Sequence, residues 1–181
     1  IRAFDTATDV VKQGGTRRGA NMGILDVTHP DIIKFIKAKE DGKHLNNFNI
    51  SVAVTEYFME KAKNAGEYDL VNPRTDKVIG SLNAKYVFNL MAEMAWKTGD
   101  PGLVFMDRIN YDNPNPQLGT IESTNPCGEQ PLLGNESCNL GAINLAKFVR
   151  IREPEDTTDW KTFVDWEGLS KTVGYSVRFL D

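Results

Sequence analysis

Only two cysteines and two histidines occur among the 181 residues, which excludes a disulfide-built scaffold and leaves too few soft ligands for a zinc centre. No metal site is expected. No apolar run approaches the roughly 20 residues needed to cross a bilayer. The first residues, Ile1-Arg2-Ala3-Phe4, lack the basic-then-apolar layout of a secretory signal, so the expectation is a cytoplasmic protein with no membrane contact. An excess of basic charge is missing as well. With 21 Lys and Arg against 25 Asp and Glu the net charge is -4, which argues against a broad nucleic-acid surface. The apolar fraction of 40% and charged fraction of 25% are those of a globular chain with one sizeable core, not of a disordered one.

Helical and extended patterns alternate along the chain. A helix to about Gln13 is followed by a glycine and arginine turn at Gly14 to Gly19 and a strand near Ala20 to Val27. A helix near Pro30 to Lys39 has Ile32, Ile33, Phe35 and Ile36 as its buried face, with Thr28 and Asp31 placed as a cap, and polar Glu40 to Asn47 forms a loop. Phe48 to Val54 reads as a strand, after which Thr55 caps a helix carrying Phe58, Met59 and Ala62. Asp69-Leu70-Val71 and Lys77-Val78-Ile79 read as a hairpin turning through Asn72 to Asp76.

Asn83 then caps the clearest helix, with Val87, Leu90, Met91, Met94 and Ala95 on one face and a stop at Gly99-Asp100-Pro101-Gly102. Leu103 to Met106 is expected as a buried strand, Asn110 to Gln117 as a loop, Thr120 to Ser123 as extended, and Cys138 to Leu145 as a further strand. The charged stretch Arg150 to Asp159 reads as a surface loop, and no internal repeat is visible. This order favours an α/β fold with a largely parallel sheet.

Both ends read as cut. Ile1, Phe4, Thr8 and Val11 share a helical face with no capping residue ahead of them, and Leu169, Val173, Ser176, Val177 and Leu180 keep helical spacing up to Asp181 without a Gly or Asn stop. The expectation is a fragment.

The chemistry-bearing cluster is Asn125-Pro126-Cys127-Gly128-Glu129, with the second cysteine, Cys138, eleven positions beyond the first. If this segment is extended, Asn125, Cys127 and Glu129 point to one face and converge on one reactant. The thiol reacts through sulfur, the carboxylate takes a proton, and the carboxamide both donates and accepts hydrogen bonds. The bland alternative is two small buried thiols. His29, in a helix's first turn, and His44, in a polar loop, are assigned no chemistry.

Asn125-Pro126-Cys127-Gly128-Glu129-Gln130-Pro131-Leu132 followed by Glu136-Ser137-Cys138-Asn139-Leu140-Gly141 resembles the active-site strand and loop of ribonucleotide reductase large subunits. The short interval between the cysteines resembles the adenosylcobalamin-dependent class more than the class that borrows its radical from an iron protein. Gly99-Asp100-Pro101-Gly102-Leu103-Val104-Phe105 with Asp107-Arg108-Ile109-Asn110 is similar to the same class. Lys12, Gln13, Gly14, Gly15, Thr16, Arg17 and Arg18, continuing through Gly19 to Gly23, resemble the loop that links the allosteric effector site to the substrate base. Such a loop can cradle phosphate with backbone N–H groups and an arginine fork, although it also reads as an ordinary surface turn.

The resemblance implies a ten-stranded α/β barrel of the ribonucleotide reductase and glycyl-radical type, of which residues 1–181 are a central part truncated at both ends. It implies conversion of ribonucleoside diphosphates to deoxyribonucleotides, with adenosylcobalamin as cofactor and dNTP or ATP as effector. A thioredoxin-type or dithiol reductant and a homodimer of the full-length protein go with it. Cys127 would carry a thiyl radical that removes hydrogen from the ribose 3′ carbon, Glu129 would take the 3′ hydroxyl proton, and Asn125 would orient the sugar hydroxyls.

Cys138 would be one of two reducing thiols. The second should lie upstream, yet no cysteine precedes Cys127, so the partner is expected outside this sequence. Rival readings are the large subunit of the iron-dependent class and a non-enzymatic nucleotide-binding or sensor module. The fragment reading predicts that the isolated 181-residue chain, given adenosylcobalamin and a dithiol, forms no deoxyribonucleotide. Measured product from that chain would overturn it.

Overall fold

Three runs rich in apolar and β-branched residues pair as one parallel sheet, with β2 (Phe48–Val54) between β1 (Asn21–Asp26) and β5 (Gly102–Phe105). These are elements of a computed structural model that describes residues 1–11, 19–149 and 160–181. Parallel strands need crossover connections, and helices supply them. α2 (Ile32–Ile36) lies between β1 and β2, while α3 (Glu56–Lys63), a hairpin of β3 (Glu67–Asn72) and β4 (Lys77–Asn83), and α4 (Ala84–Thr98) separate β2 from β5. The chain divides into two units, Ile1–Ser137 and Cys138–Asp181, which are described separately.

The core of the first unit follows from the two periodicities. β2 turns Ile50, Val52 and Val54 inward, and α4 meets this layer with Ala84, Val87, Leu90, Met91 and Met94 at helical spacing, all buried. Phe58 of α3 and Tyr68 of β3 meet edge to face with ring centroids 5.0 Å apart, and the buried Tyr68 hydroxyl donates to the Val27 carbonyl at 3.1 Å.

The expected helix boundaries at α4 stand. Asn83 Oδ1 accepts from the Tyr86 N–H at 3.0 Å, and Gly99, at φ +86°, ends the helix by donating to the Ala95 carbonyl at 2.8 Å. Thr55 caps α3 as expected. The cap placed at Thr28 and Asp31 does not form. Asp26 Oδ1 accepts both the N–H and the hydroxyl of Thr28, His29 Nδ1 accepts the Asp31 N–H, and Asp31 pairs with Lys34 instead. That pairing holds the Asp31 carboxyl below the usual aspartate range.

The strand Gly102–Phe105 exists, but Leu103 is exposed and only Val104 is buried, because β5 is an edge strand. Its late start leaves the N–H of the buried Ile50 without a ladder partner. Asp100 Oδ1 accepts it at 3.2 Å, while Asp100 Oδ2 accepts from Lys39 Nζ at 2.6 Å and Lys39 also donates to the Phe48 carbonyl at 2.7 Å. The hairpin β3–β4 is longer than expected, and α5 (Met106–Tyr111) takes in the expected end of the strand at Met106 and the expected start of the loop at Asn110.

α1 (Arg2–Val10) buries no residue, so the expected face of Ile1, Phe4, Thr8 and Val11 does not pack among the described residues. It is held by polar contacts: Asp5 accepts from the N–H of Asn47 through Oδ1 at 2.9 Å, and Thr8 accepts from Asn21 Nδ2 at 2.8 Å. In the second unit, α6 (Trp166–Leu180) is capped by Asp165, whose Oδ1 accepts from the Gly168 N–H at 3.2 Å. The expected strand from Cys138 to Leu145 is absent. Residues 138–144 are irregular, with Asn139 donating to the Leu180 carbonyl at 2.7 Å and Asn144 capping a short helical turn, so side chains take the place of a strand partner. The stretch Arg150 to Asp159 lies outside the described residues.

The architecture is therefore mixed α/β with a parallel sheet. The described residues close no barrel. Among them no helix is long and apolar enough to cross a membrane.

Burial raises the Tyr68 phenol far above its ordinary range, which has a consequence in alkali. The unfolded chain releases this proton near pH 10 while the folded chain keeps it, so the stabilisation is present below that pH and is lost above it. Denaturant titrations at about pH 9 and pH 11 should show a larger loss of stability for wild type than for Tyr68→Phe. Equal losses would contradict the role given to burial. Asp100→Ala should destabilise more than Asp100→Asn, by about 1–3 kcal/mol, because only alanine also leaves the Ile50 N–H unpaired. Equal midpoints in urea would contradict a role for the Asp100–Ile50 hydrogen bond.

Candidate active site

The cluster around Cys127 is carried by a second hairpin, β6 (Ile121–Thr124) paired antiparallel with β7 (Pro131–Leu133). β6 lies against β1 and against α5. Asn110 of α5 acts as a surrogate strand for β6, its Oδ1 accepting the Ile121 N–H at 2.8 Å and its Nδ2 donating to the Ile121 carbonyl at 3.0 Å. On the β7 side, Glu136 Oε2 accepts the Leu133 N–H at 2.8 Å.

Residues 125–128 form a tight turn, not an extended run. The Asn125 carbonyl accepts the Gly128 N–H at 3.0 Å, and Gly128 stands at φ +86°. Asn at the first position, Pro at the second and Gly at the fourth is the residue order that β-turns favour. Pro fixes its own φ and offers no N–H, while Gly takes the left-handed conformation without a Cβ penalty. The turn signal of Asn-Pro-Cys-Gly outweighs the expected alternation along an extended segment. Asn125, Cys127 and Glu129 do not share a strand face.

What the turn does is separate them by depth. Asn125 sits at the root, buried, and pairs with Gln130 twice: its N–H donates to the Gln130 carbonyl at 3.1 Å and its Oδ1 accepts the Gln130 N–H at 3.0 Å. The Thr124 hydroxyl donates to the Asn125 carbonyl at 2.9 Å. One lone pair of the carboxamide oxygen is thereby taken by the fold. Its nitrogen has no partner among the described residues.

Cys127 occupies the third position of the turn with an exposed, free thiol. Glu129 is exposed just past Gly128, and its carboxylate has no hydrogen-bond or ion-pair partner among the described residues. Such groups at the end of a pinned loop are available to a ligand: a nucleophilic or radical sulfur, a proton acceptor and one amide donor. An open cleft of about 550 Å³ flanks the hairpin, lined by Arg108, Asp112, Ile121, Gln130, Leu133 and Glu136, and includes neither Cys127 nor Glu129.

Cys138 is free and exposed in the second unit. Exposure of both thiols removes the buried-thiol alternative. The seven residues Lys12, Gln13, Gly14, Gly15, Thr16, Arg17 and Arg18 lie outside the described residues. Among the described residues no group of three or more His, Cys, Asp and Glu is arranged to hold a metal ion.

One contact at the site had no sequence signal. Asn49, the single exposed residue of β2, donates from Nδ2 to the Pro126 carbonyl at 2.5 Å, a link across 77 positions.

The family model described as "Ribonucleotide reductase, barrel domain" matches residues 1–181. The chain is 53% identical over its whole length to a protein of Thermoplasma acidophilum named vitamin B12-dependent ribonucleoside-diphosphate reductase, of which it covers 22%. It is 48% identical to a Mycobacterium tuberculosis protein of the same name, covering 25% of it. A ribonucleoside-diphosphate reductase large subunit of Ostreid herpesvirus 1 is 26% identical over 98% of the chain and 24% of the relative. The chain thus spans between a fifth and a quarter of the length of these curated relatives. With a barrel-domain match along its full length and an exposed thiol on a pinned turn, the chain belongs to the ribonucleotide reductase barrel-domain family.

Proposed function

We propose that this chain carries the radical-bearing part of a ribonucleotide reductase, in which ribonucleoside diphosphates are reduced at the 2′ position. The observation that carries the reading is the Cys127 turn: a free exposed sulfur, with Glu129 two residues on and Asn125 locked at the root, in a chain 53% identical to a protein named for this activity. The complete catalytic domain would be a ten-stranded barrel, with this turn at its centre and residues 12–18 as the effector loop.

The roles are those the family resemblance implies, and the groups left free in the turn are consistent with them. Cys127, as a thiyl radical, takes the hydrogen atom from the ribose 3′ carbon and becomes a thiol. Glu129 accepts the proton of the 3′ hydroxyl, which favours departure of the 2′ hydroxyl, protonated by a reducing thiol, as water. Asn125, with one lone pair of its oxygen already bonded to Gln130, offers its NH₂ as a donor to a sugar oxygen. Cys138 supplies one of the two thiols that deliver two electrons to the 2′ position, its partner cysteine lying outside this sequence and the resulting disulfide being reopened by a dithiol reductant.

Adenosylcobalamin fits the site in one respect that the structure bears on. The Cys127 sulfur is unpaired and exposed beside a glycine with no side chain, so a bulky group can approach it. When bound, that cofactor supplies the radical chemistry that oxidises the thiol. Relatives at 53% and 48% identity carry names that say vitamin B12-dependent, which favours this class over the iron-dependent one. A dimeric full-length protein under dNTP control belongs to the same reading.

In the protein that carries this chain, Cys127→Ser should abolish turnover while leaving dNTP binding intact. Glu129→Gln should lower kcat by about 10²–10⁴-fold, the usual contribution of a positioned general base. Unchanged turnover in Cys127→Ser would sink the assignment, and dNTP binding without turnover in wild type would favour a sensor module.

A further inference from the structure

The Cys127 turn is closed at its root by Asn125, but those contacts lie within the hairpin and leave the turn's direction open. The Asn49 contact comes from outside it. The accepting oxygen belongs to the peptide group whose N–H is that of Cys127, and a peptide group is planar. Holding that oxygen therefore sets the tilt of the plane from which the Cys127 Cα projects. The Pro126 ring already fixes its own φ, so the hydrogen bond acts on the remaining rotation that aims the Cys127 side chain.

The donor stands on a fixed base. Asn49 is in register with Met22 of β1 and sits between buried Phe48 and Ile50. Both neighbours are themselves tied by the Lys39 and Asp100 contacts at the start of β2. A side chain on a paired strand orients a loop more narrowly than another loop could.

We propose that Asn49 is a positioning residue for the Cys127 thiol, fixing its direction through the Pro126 carbonyl and touching no reactant itself. The proposal rests on the reading of Cys127 as the reacting thiol. A misplacement of about 1 Å can cost around 10²-fold in rate, so Asn49→Ala should lower kcat about 10- to 100-fold. KM should stay within about twofold, since substrate contacts are not removed.

The test uses the whole protein that carries this chain, with Asn49→Ala, Asn49→Gln and Cys127→Ser side by side. Kinetics, thermal midpoint and amide hydrogen exchange at Gly128 are measured for each. The expected result is a kcat loss in Asn49→Ala at near wild-type midpoint, partial recovery in Asn49→Gln, and exchange at Gly128 at least about tenfold faster in Asn49→Ala. Wild-type kcat in Asn49→Ala while Cys127→Ser is inactive would overturn the proposal. So would a loss that tracks the thermal midpoint and that glutamine does not recover. Turnover by Cys127→Ser would instead remove the functional reading beneath it. In that event unchanged Gly128 exchange in Asn49→Ala would show that Asn49 does not hold the turn either.

Discussion

The backbone of β2 is hydrogen-bonded to parallel strands on both edges and buried along six of its seven residues, so each of its N–H and C=O groups needs a partner inside the protein. That requirement explains features that look unrelated in sequence. Because β5 begins late, an aspartate from the end of α4 has to reach Ile50, and because that aspartate is mostly buried it has to be met by Lys39. The loop after α2, the end of α4 and the start of β2 are thus bound together at one point. The glycine stop at Gly99 is what turns the chain to deliver Asp100 there.

The Cys127 hairpin takes its position from the same strand. β6 rests against β1, Asn110 closes its outer edge, and Asn49 reaches it from the only exposed position of β2. Polar side chains, mostly carboxamides, do the work that a further strand would do. Among the described residues this leaves sulfur and carboxylate at the crest without partners of their own, while the groups around them are bonded within the fold. In the proposed reading, a site that accepts a substrate combines a rigid base with unspent donors and acceptors, and the division between Asn125 and Glu129 suits it.

Where local chemistry decides structure, the sequence was legible. Asn83 and Gly99 bound α4, its apolar face packs as spaced, Thr55 caps α3, and Phe48–Val54 is a strand. Misreadings arose where two local signals competed or where a distant residue intervened. Thr28 and Asp31 lost their cap to Asp26 and His29, and the run after Cys138 has no strand partner among the described residues. At the site itself, the residues of the cluster were visible but their arrangement was not. The Asn-Pro-Cys-Gly order makes a turn, and a turn places alternate residues at different depths. Asn49 could not be found from sequence, since its partner is 77 positions away.

The central claim is that the Cys127 sulfur is the atom that meets the sugar. A crystal structure of the protein that carries this chain, with a ribonucleoside diphosphate bound, tests it most directly. The account predicts the ribose 3′ carbon within about 3–4 Å of Cys127 Sγ, the distance of reacting groups, with Glu129 in hydrogen-bond reach of the 3′ oxygen. A ribose seated away from this turn, with another residue nearest its 3′ carbon, would contradict it.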